Sequence, residues 1–107
     1  MESNNIFDLL PKDLDSEVFE DIVHCSTVRI ERIISKGQAS PEVGWYDQDH
    51  HEWVMVVMGK ACLTFADGSV CDLSAGDYVH IPAHTKHRVS WTDPEQITIW
   101  LAVCYGY

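Results

Sequence analysis

Read for its alternation of apolar and polar positions, the chain breaks into short β-rich runs. "VRIERIIS" (28–35) alternates imperfectly, with Ile30 and Ile34 on one face and polar Arg29 and Glu31 close by, and the turn-rich "KGQASPEVG" closes it. Then come "EWVMVVMG", "KACLTF", "ADGS", "VCDLSAGD", "YVHIPAHTKHRVSW", "TDPEQ" and "ITIWLAVCY". Asp-Gly, Gly-Asp, Ile-Pro and Asp-Pro signals punctuate these runs at spacings of about ten residues, the pattern of an all-β sandwich or barrel. "ADGS" marks the clearest hairpin, because Asp-Gly tolerates the positive φ of a tight β-turn. Nothing after residue 16 shows helical periodicity. Residues 1–16 are mixed and acidic, with Ile6, Phe7, Leu9 and Leu10 as an anchor and Pro11 as a breaker. They predict a short helical or irregular N-terminal segment packed on the body, followed by one β domain over residues 17–107.

Two runs carry more. After Glu52, "WVMVVM" is apolar at every position and "ITIWLAV" nearly so, whereas a strand with one wet face alternates. Both faces of such strands need cover. One would look into a barrel and the other onto a second sheet or another subunit, so a homodimer is expected; a sandwich whose own sheets hide both faces is the other reading.

Composition narrows the partners. The 107 residues suit one domain and one site, and 17 acidic against 7 basic side chains give a net charge of −10 without any Lys/Arg cluster. A phosphate backbone would be repelled, so no nucleic acid is expected; cationic or metal ligands are favoured over polyanions. The first residues lack a basic n-region and a sustained apolar stretch, which predicts a cytoplasmic protein with no membrane association. Cys25, Cys62, Cys71 and Cys104 show no CxxC or zinc-knuckle spacing and are expected as free thiols, although Cys62 and Cys71 lie on the two arms of a hairpin.

The segment from about Gly44 to Val103 carries two motifs. In "GDYVHIPAHTKHRVSW", Gly76 is followed after five residues by Pro82 and then by His87, the spacing of G-x5-P-x-G-x2-H-x3-N with His84 at the glycine position and Trp91 at the asparagine position. Upstream, Glu52 plus six residues reaches Gly59, the end of G-x5-H-x-H-x3-4-E-x6-G. On these residues the chain resembles the cupin superfamily, which implies an antiparallel double-stranded β-barrel (cupin/jelly-roll). The first motif departs from the pattern: counting back from Glu52 puts Tyr46 and Gln48, or Trp45 and Asp47, where the family has histidines. A rival register, Gly44 plus five, makes His50 the first ligand. Glu52 and His87 carry over in either register.

Strand geometry gives an independent argument. Alternate side chains share a face, so if Glu52 points inward, His50 and Gln48 do so wherever the chain stays extended, while His51 points away. With His87 added, Gln48, His50, Glu52 and His87 form a two-histidine, one-carboxylate set with an amide, suited to a divalent transition metal: Fe(II), Mn(II), Ni(II) or Zn(II). Without a metal, the same stretch reads as a solvated loop, with Glu52 held by Tyr46 or His87. If a metal is present, the resemblance implies chemistry on a small molecule, with Glu52 as ligand or base and the Tyr46 hydroxyl bonding a bound oxygen. The alternative is a non-enzymatic small-ligand-binding or sensing cupin without metal. His84 reads as a rim residue or a turn hydrogen-bonder rather than a ligand, and His80 as a half-covered strand residue. Trp53, Trp91 and Trp100 read first as core. Arg88, next to His87, is the cation nearest the site, which makes a carboxylate substrate conceivable.

Overall fold

A computed structural model describes residues 1–107. Eight strands and no helix build it: β1 (Val18–His24), β2 (Val28–Ser35), β3 (His51–Met58), β4 (Lys60–Phe65), β5 (Val70–Ser74), β6 (Tyr78–Ile81), β7 (His87–Thr92) and β8 (Thr98–Tyr105). All pairings are antiparallel. They form a five-stranded sheet in the order β1-β2-β8-β3-β6 and a three-stranded sheet in the order β5-β4-β7. The all-β expectation holds. The closed barrel does not: the two sheets keep separate edges and face each other as a jelly roll.

The N-terminal segment is irregular rather than helical. Its backbone is tied to β2 instead, because the Arg32 guanidinium donates to the carbonyls of Ile6 (2.9 Å), Asp8 (2.6 Å) and Leu9 (3.4 Å). Pro11 and a run rich in Asp and Asn offer no helical register that would satisfy those carbonyls internally.

The apolar runs in β3 and β8 sort by the two-residue period of a strand. Val54 and Val56 on β3, and Trp100 and Ala102 on β8, form the core with Ala61, Leu63, Leu73 and Ile81. Their alternates Trp53, Met55, Leu101 and Val103 are only half-buried, on the opposite face. The core therefore sits between the sheets.

The hairpin after β4 forms as expected, with Phe65 N–H donating to the Ser69 carbonyl (2.9 Å) and Gly68 at φ +92°. Its register pairs Cys62 with Asp72 and Leu63 with Cys71, so Cys62 and Cys71 face opposite sides of the sheet and all four cysteines are free. At the start of β4, Gly59 takes φ +93°, and a Cβ there would lie 2.5 Å from Thr98 Oγ1 and 2.7 Å from the Ile97 carbonyl oxygen. Only glycine lets β3 turn into β4 against β8.

Candidate functional site

Between the two sheets lies a cavity of about 180 Å3, lined by residues of both. Register explains the space. Across the inner face of the large sheet, Glu31 on β2 lies opposite Ala102 on β8, and Ala102 lies opposite Val54 on β3. A single methyl at the centre of that row leaves room above it. Glu52, one row along, pairs with Cys104 and Ile81.

His87 opens β7 on the facing sheet and is 4% exposed. Its Nε2 stands 3.9 Å from Glu52 Oε1. The other ring nitrogen, Nδ1, is 2.7 Å from the Thr85 carbonyl oxygen, which can only accept, so Nδ1 carries the proton. In the neutral ring Nε2 is then a bare acceptor turned toward the carboxylate. The Cys104 thiol donates to Glu52 Oε2 at 3.5 Å. Burial, followed by the Glu52 charge, pushes that thiol up to about 12, so it stays protonated and serves as a donor rather than a nucleophile.

Tyr46 and Gln48 line the same cavity. Tyr46 is held by a two-way backbone bridge to His87, N–H to carbonyl at 2.8 Å and 3.2 Å, which extends β7 by one residue on its free edge. The Gln48 carbonyl accepts from the His84 N–H at 2.7 Å. His84 stands where the motif has glycine and takes φ 62°, the left-handed conformation glycine adopts freely. Its ring Nδ1 lies 3.0 Å from Asp47 Oδ1, a contact that holds the unfavourable turn in place. His84 is thus an exposed turn residue that bonds to Gln48 and Asp47 and is not part of the cavity lining.

His50 is not brought to the cavity. β3 begins only at His51, and the chain bends at Asp49 and His50, so the alternation that would align His50 with Glu52 is interrupted. Its ring stacks on Tyr107 instead, 4.6 Å between centroids. His51 points to the outer face as expected, its Nδ1 accepting from the Ala83 N–H at 3.0 Å. His80 shares that face, with Nε2 at 2.6 Å from the Tyr105 hydroxyl. Arg88 also turns away: its guanidinium lies 4.8 Å over the Trp45 ring and donates to the Glu42 carbonyl. The cation that made a carboxylate substrate conceivable is therefore absent from the cavity wall.

The expected two-histidine, one-carboxylate set does not assemble. Glu52 and His87 are the only partners that close in on each other, and nowhere do three or more His, Cys, Asp or Glu side chains group to hold a metal ion. Of the four residues drawn from the sequence, Gln48, Glu52 and His87 line one cavity and His50 does not.

Sequence reasoning missed two lining carboxylates, Glu17 and Glu31. Glu31 alternates with Ile33 and Ser35, the signal of an inward face, but the stronger Ile30–Ile34 pair drew attention to the outer one. Burial raises the Glu31 carboxyl above its ordinary value, with Arg29 opposing and Glu52 reinforcing the shift. Glu17 is raised by burial and pulled back by the Ser35 hydroxyl, which donates to it at 3.1 Å.

Comparison with known proteins agrees with this architecture. The family model described as "Cupin domain" matches residues 32–104. The chain is 42% identical to the "putative mannose-6-phosphate isomerase" of Ralstonia eutropha JMP134, with a TM-score of 0.93 and full coverage of both chains. A protein of Thermus thermophilus shares the fold at 14% identity and a TM-score of 0.80, over 98% of this chain and 97% of that one. A cupin superfamily protein of Desulfitobacterium hafniense DCB-2 does so at 18% identity and a TM-score of 0.74, over 90% and 83%. No curated protein matches. The chain belongs to the cupin family.

Proposed function

We propose that the protein binds a small organic molecule in the cavity between its sheets and moves a proton on it with Glu52 and His87. The observation that carries this reading is the 3.9 Å separation of Glu52 Oε1 and His87 Nε2 on facing sheets, both turned into one cavity. That distance is too long for a direct hydrogen bond and leaves the pair free to act on a ligand group between them. A proton-transfer isomerisation needs a base that takes a proton from one ligand atom and an acid that delivers one to another, roles that a carboxylate and an imidazole can divide. The Ralstonia eutropha relative, described as an isomerase, points the same way. Tyr46, at the cavity edge, offers a hydroxyl to a ligand oxygen, and Cys104 holds Glu52 in place.

The test is solvent deuterium exchange into any ligand that raises the melting temperature, followed by NMR. Exchange is expected with the native protein and should fall about 100-fold or more in both Glu52→Gln and His87→Gln. A ligand that binds with no exchange would remove the proton transfer and leave a non-enzymatic binding or sensing cupin.

A divalent metal is a second reading, favoured by Gln48, Glu52 and His87 lining one cavity. Metal analysis of protein purified without chelators decides it: a stoichiometric ion lost in His87→Ala supports the metal, and none in the parent protein ends it.

A further inference from the structure

The charge of the cavity wall points to a ligand class. Glu17, Glu31 and Glu52 line the cavity, and no lysine or arginine does. Arg29, the cation that acts on Glu31, is not part of the lining and lies 3.8 Å from Asp21. Glu31 is the sharpest feature. It is 8% exposed and borders the cavity, no protein group donates a hydrogen bond to it, and its oxygens reach solvent only where the cavity lets them. A largely desolvated carboxylate without a protein donor is costly and is kept where something else completes it. The remaining wall is mainly apolar, with Phe19, Tyr46 and Trp100 supplying aromatic faces. Carboxylates beside aromatic rings are the surroundings that a desolvated organic cation needs.

We infer that the cavity selects a small organic cation, an ammonium group on a compact apolar body, and that Glu31 is its charge partner. The inference rests on the small-molecule reading above and narrows it. It also separates this chain from phosphorylated or carboxylated ligands, which would meet three carboxylates, no lysine or arginine, and no helix N-terminus to receive an anion.

The volume sets the probe. A cavity of about 150 Å3 accommodates benzene, so 180 Å3 accommodates a six-membered ring with one polar substituent. Cyclohexylammonium, cyclohexanol, cyclohexanecarboxylate and mannose 6-phosphate would be titrated by calorimetry at pH 8, where the amine is charged. Cyclohexylammonium should bind at least about tenfold more tightly than cyclohexanol, with neither anion binding. Glu31→Gln should weaken the ammonium about tenfold and leave cyclohexanol unchanged; Glu17→Gln, further along the wall, gives a second charge deletion should the first variant fold poorly. An ammonium that binds no better than the alcohol, or is indifferent to both substitutions, overturns the inference. If cyclohexanol or an anion binds through Glu52 and His87 while the ammonium does not, the ligand class falls and the proton-transfer reading stands. Manganese binding that depends on Glu31 would make the cluster a metal site and equally overturn the organic cation. Binding by none of the probes removes both readings.

Discussion

Replacing Glu31 with leucine should make the protein more stable, and the gain should grow with pH. The side chain stands over Ala102 in a wall of mostly apolar residues, with no protein hydrogen-bond donor and with its oxygens reaching solvent only through the cavity. Stripping most of the water from such a group costs about 1–3 kcal/mol, which leucine avoids at similar length. Protonation sets the pH dependence. Burial first, and Glu52 among the nearby charges, raise the folded-state carboxyl above 4.5, against the pull of Arg29. The folded chain thus holds this proton to higher pH than the unfolded chain does. Its stabilising contribution is complete below pH 4.5 and is lost as pH rises through the raised folded value. Glu17 shifts in the same direction and retains part of the slope in the variant. Urea denaturation of native protein and Glu31→Leu at pH 5 and pH 8 measures both quantities. The expected gain is about 1–3 kcal/mol at pH 8 and less at pH 5, with a melting temperature higher by roughly 4–8 °C per kcal/mol in a domain of this size. A variant that loses stability at both pH values would refute the reasoning, because it would mean that the carboxylate is satisfied where it stands.

Three further outcomes are expected. Gly59→Ala should cost about 2–3 kcal/mol in the same denaturation assay, because the new methyl meets the backbone of Ile97 and Thr98 at φ +93°; an unchanged midpoint contradicts that. Iodoacetamide at pH 8, followed by peptide mass spectrometry, should label exposed Cys25 first, its thiol lowered chiefly by the Thr27 backbone N–H, and Cys104 last, with a thiol at about 12; equal rates would be inconsistent with the buried Cys104–Glu52 contact. We propose that the half-buried outer row of Ile30, Val103 and Trp53, with Leu101 and Met55 beside it, pairs with a second copy of the chain. Sedimentation should then give a homodimer at micromolar concentration and a monomer for Val103→Asp, whereas a monomeric parent protein removes the proposal.

The sequence made the fold legible because its punctuation is local. Asp-Gly after Phe65, Gly59 after β3 and Ile81-Pro82 after β6 each end a strand by backbone chemistry that needs no knowledge of the rest of the chain. The unbroken apolar run in β3 likewise announced a strand with both faces in demand of cover. The site was legible only where it rested on that framework. Glu52 and His87 meet because β3 and β7 are well-defined strands on facing sheets. His50 failed for the opposite reason: its direction depends on whether the chain is extended at Asp49, and the bend there is set by packing against Tyr107 and by the His84–Gln48 bond, both remote in sequence. Glu31 was hidden by periodicity itself. In β2 the more apolar alternation, Ile30 and Ile34, belongs to the outer face, whose Arg32 anchors the N-terminal segment, while the inner face carries the acid.

The departures from the cupin pattern form one electrostatic change rather than two. A site with several imidazoles and a bound divalent ion would bring positive charge to the interior, against which a single glutamate is balanced. Here the first motif offers Tyr46 and Gln48 in place of histidines, His50 turns to Tyr107, and Glu17 and Glu31 add carboxylates to the same wall. On this wall carboxylates outnumber imidazoles by three to one. Protonation relieves part of the excess, since burial raises both added glutamates, but at neutral pH every ionised carboxylate in the cavity favours whatever brings a positive charge to it. The proton chemistry proposed for Glu52 and His87 and the recognition of a phosphate therefore rest on different features of the wall. The proposed acid–base chemistry needs two groups that can share a ligand proton, the part given to Glu52 and His87; phosphate recognition draws on cationic or backbone donors, and this wall has no lysine, arginine or helix end to supply them.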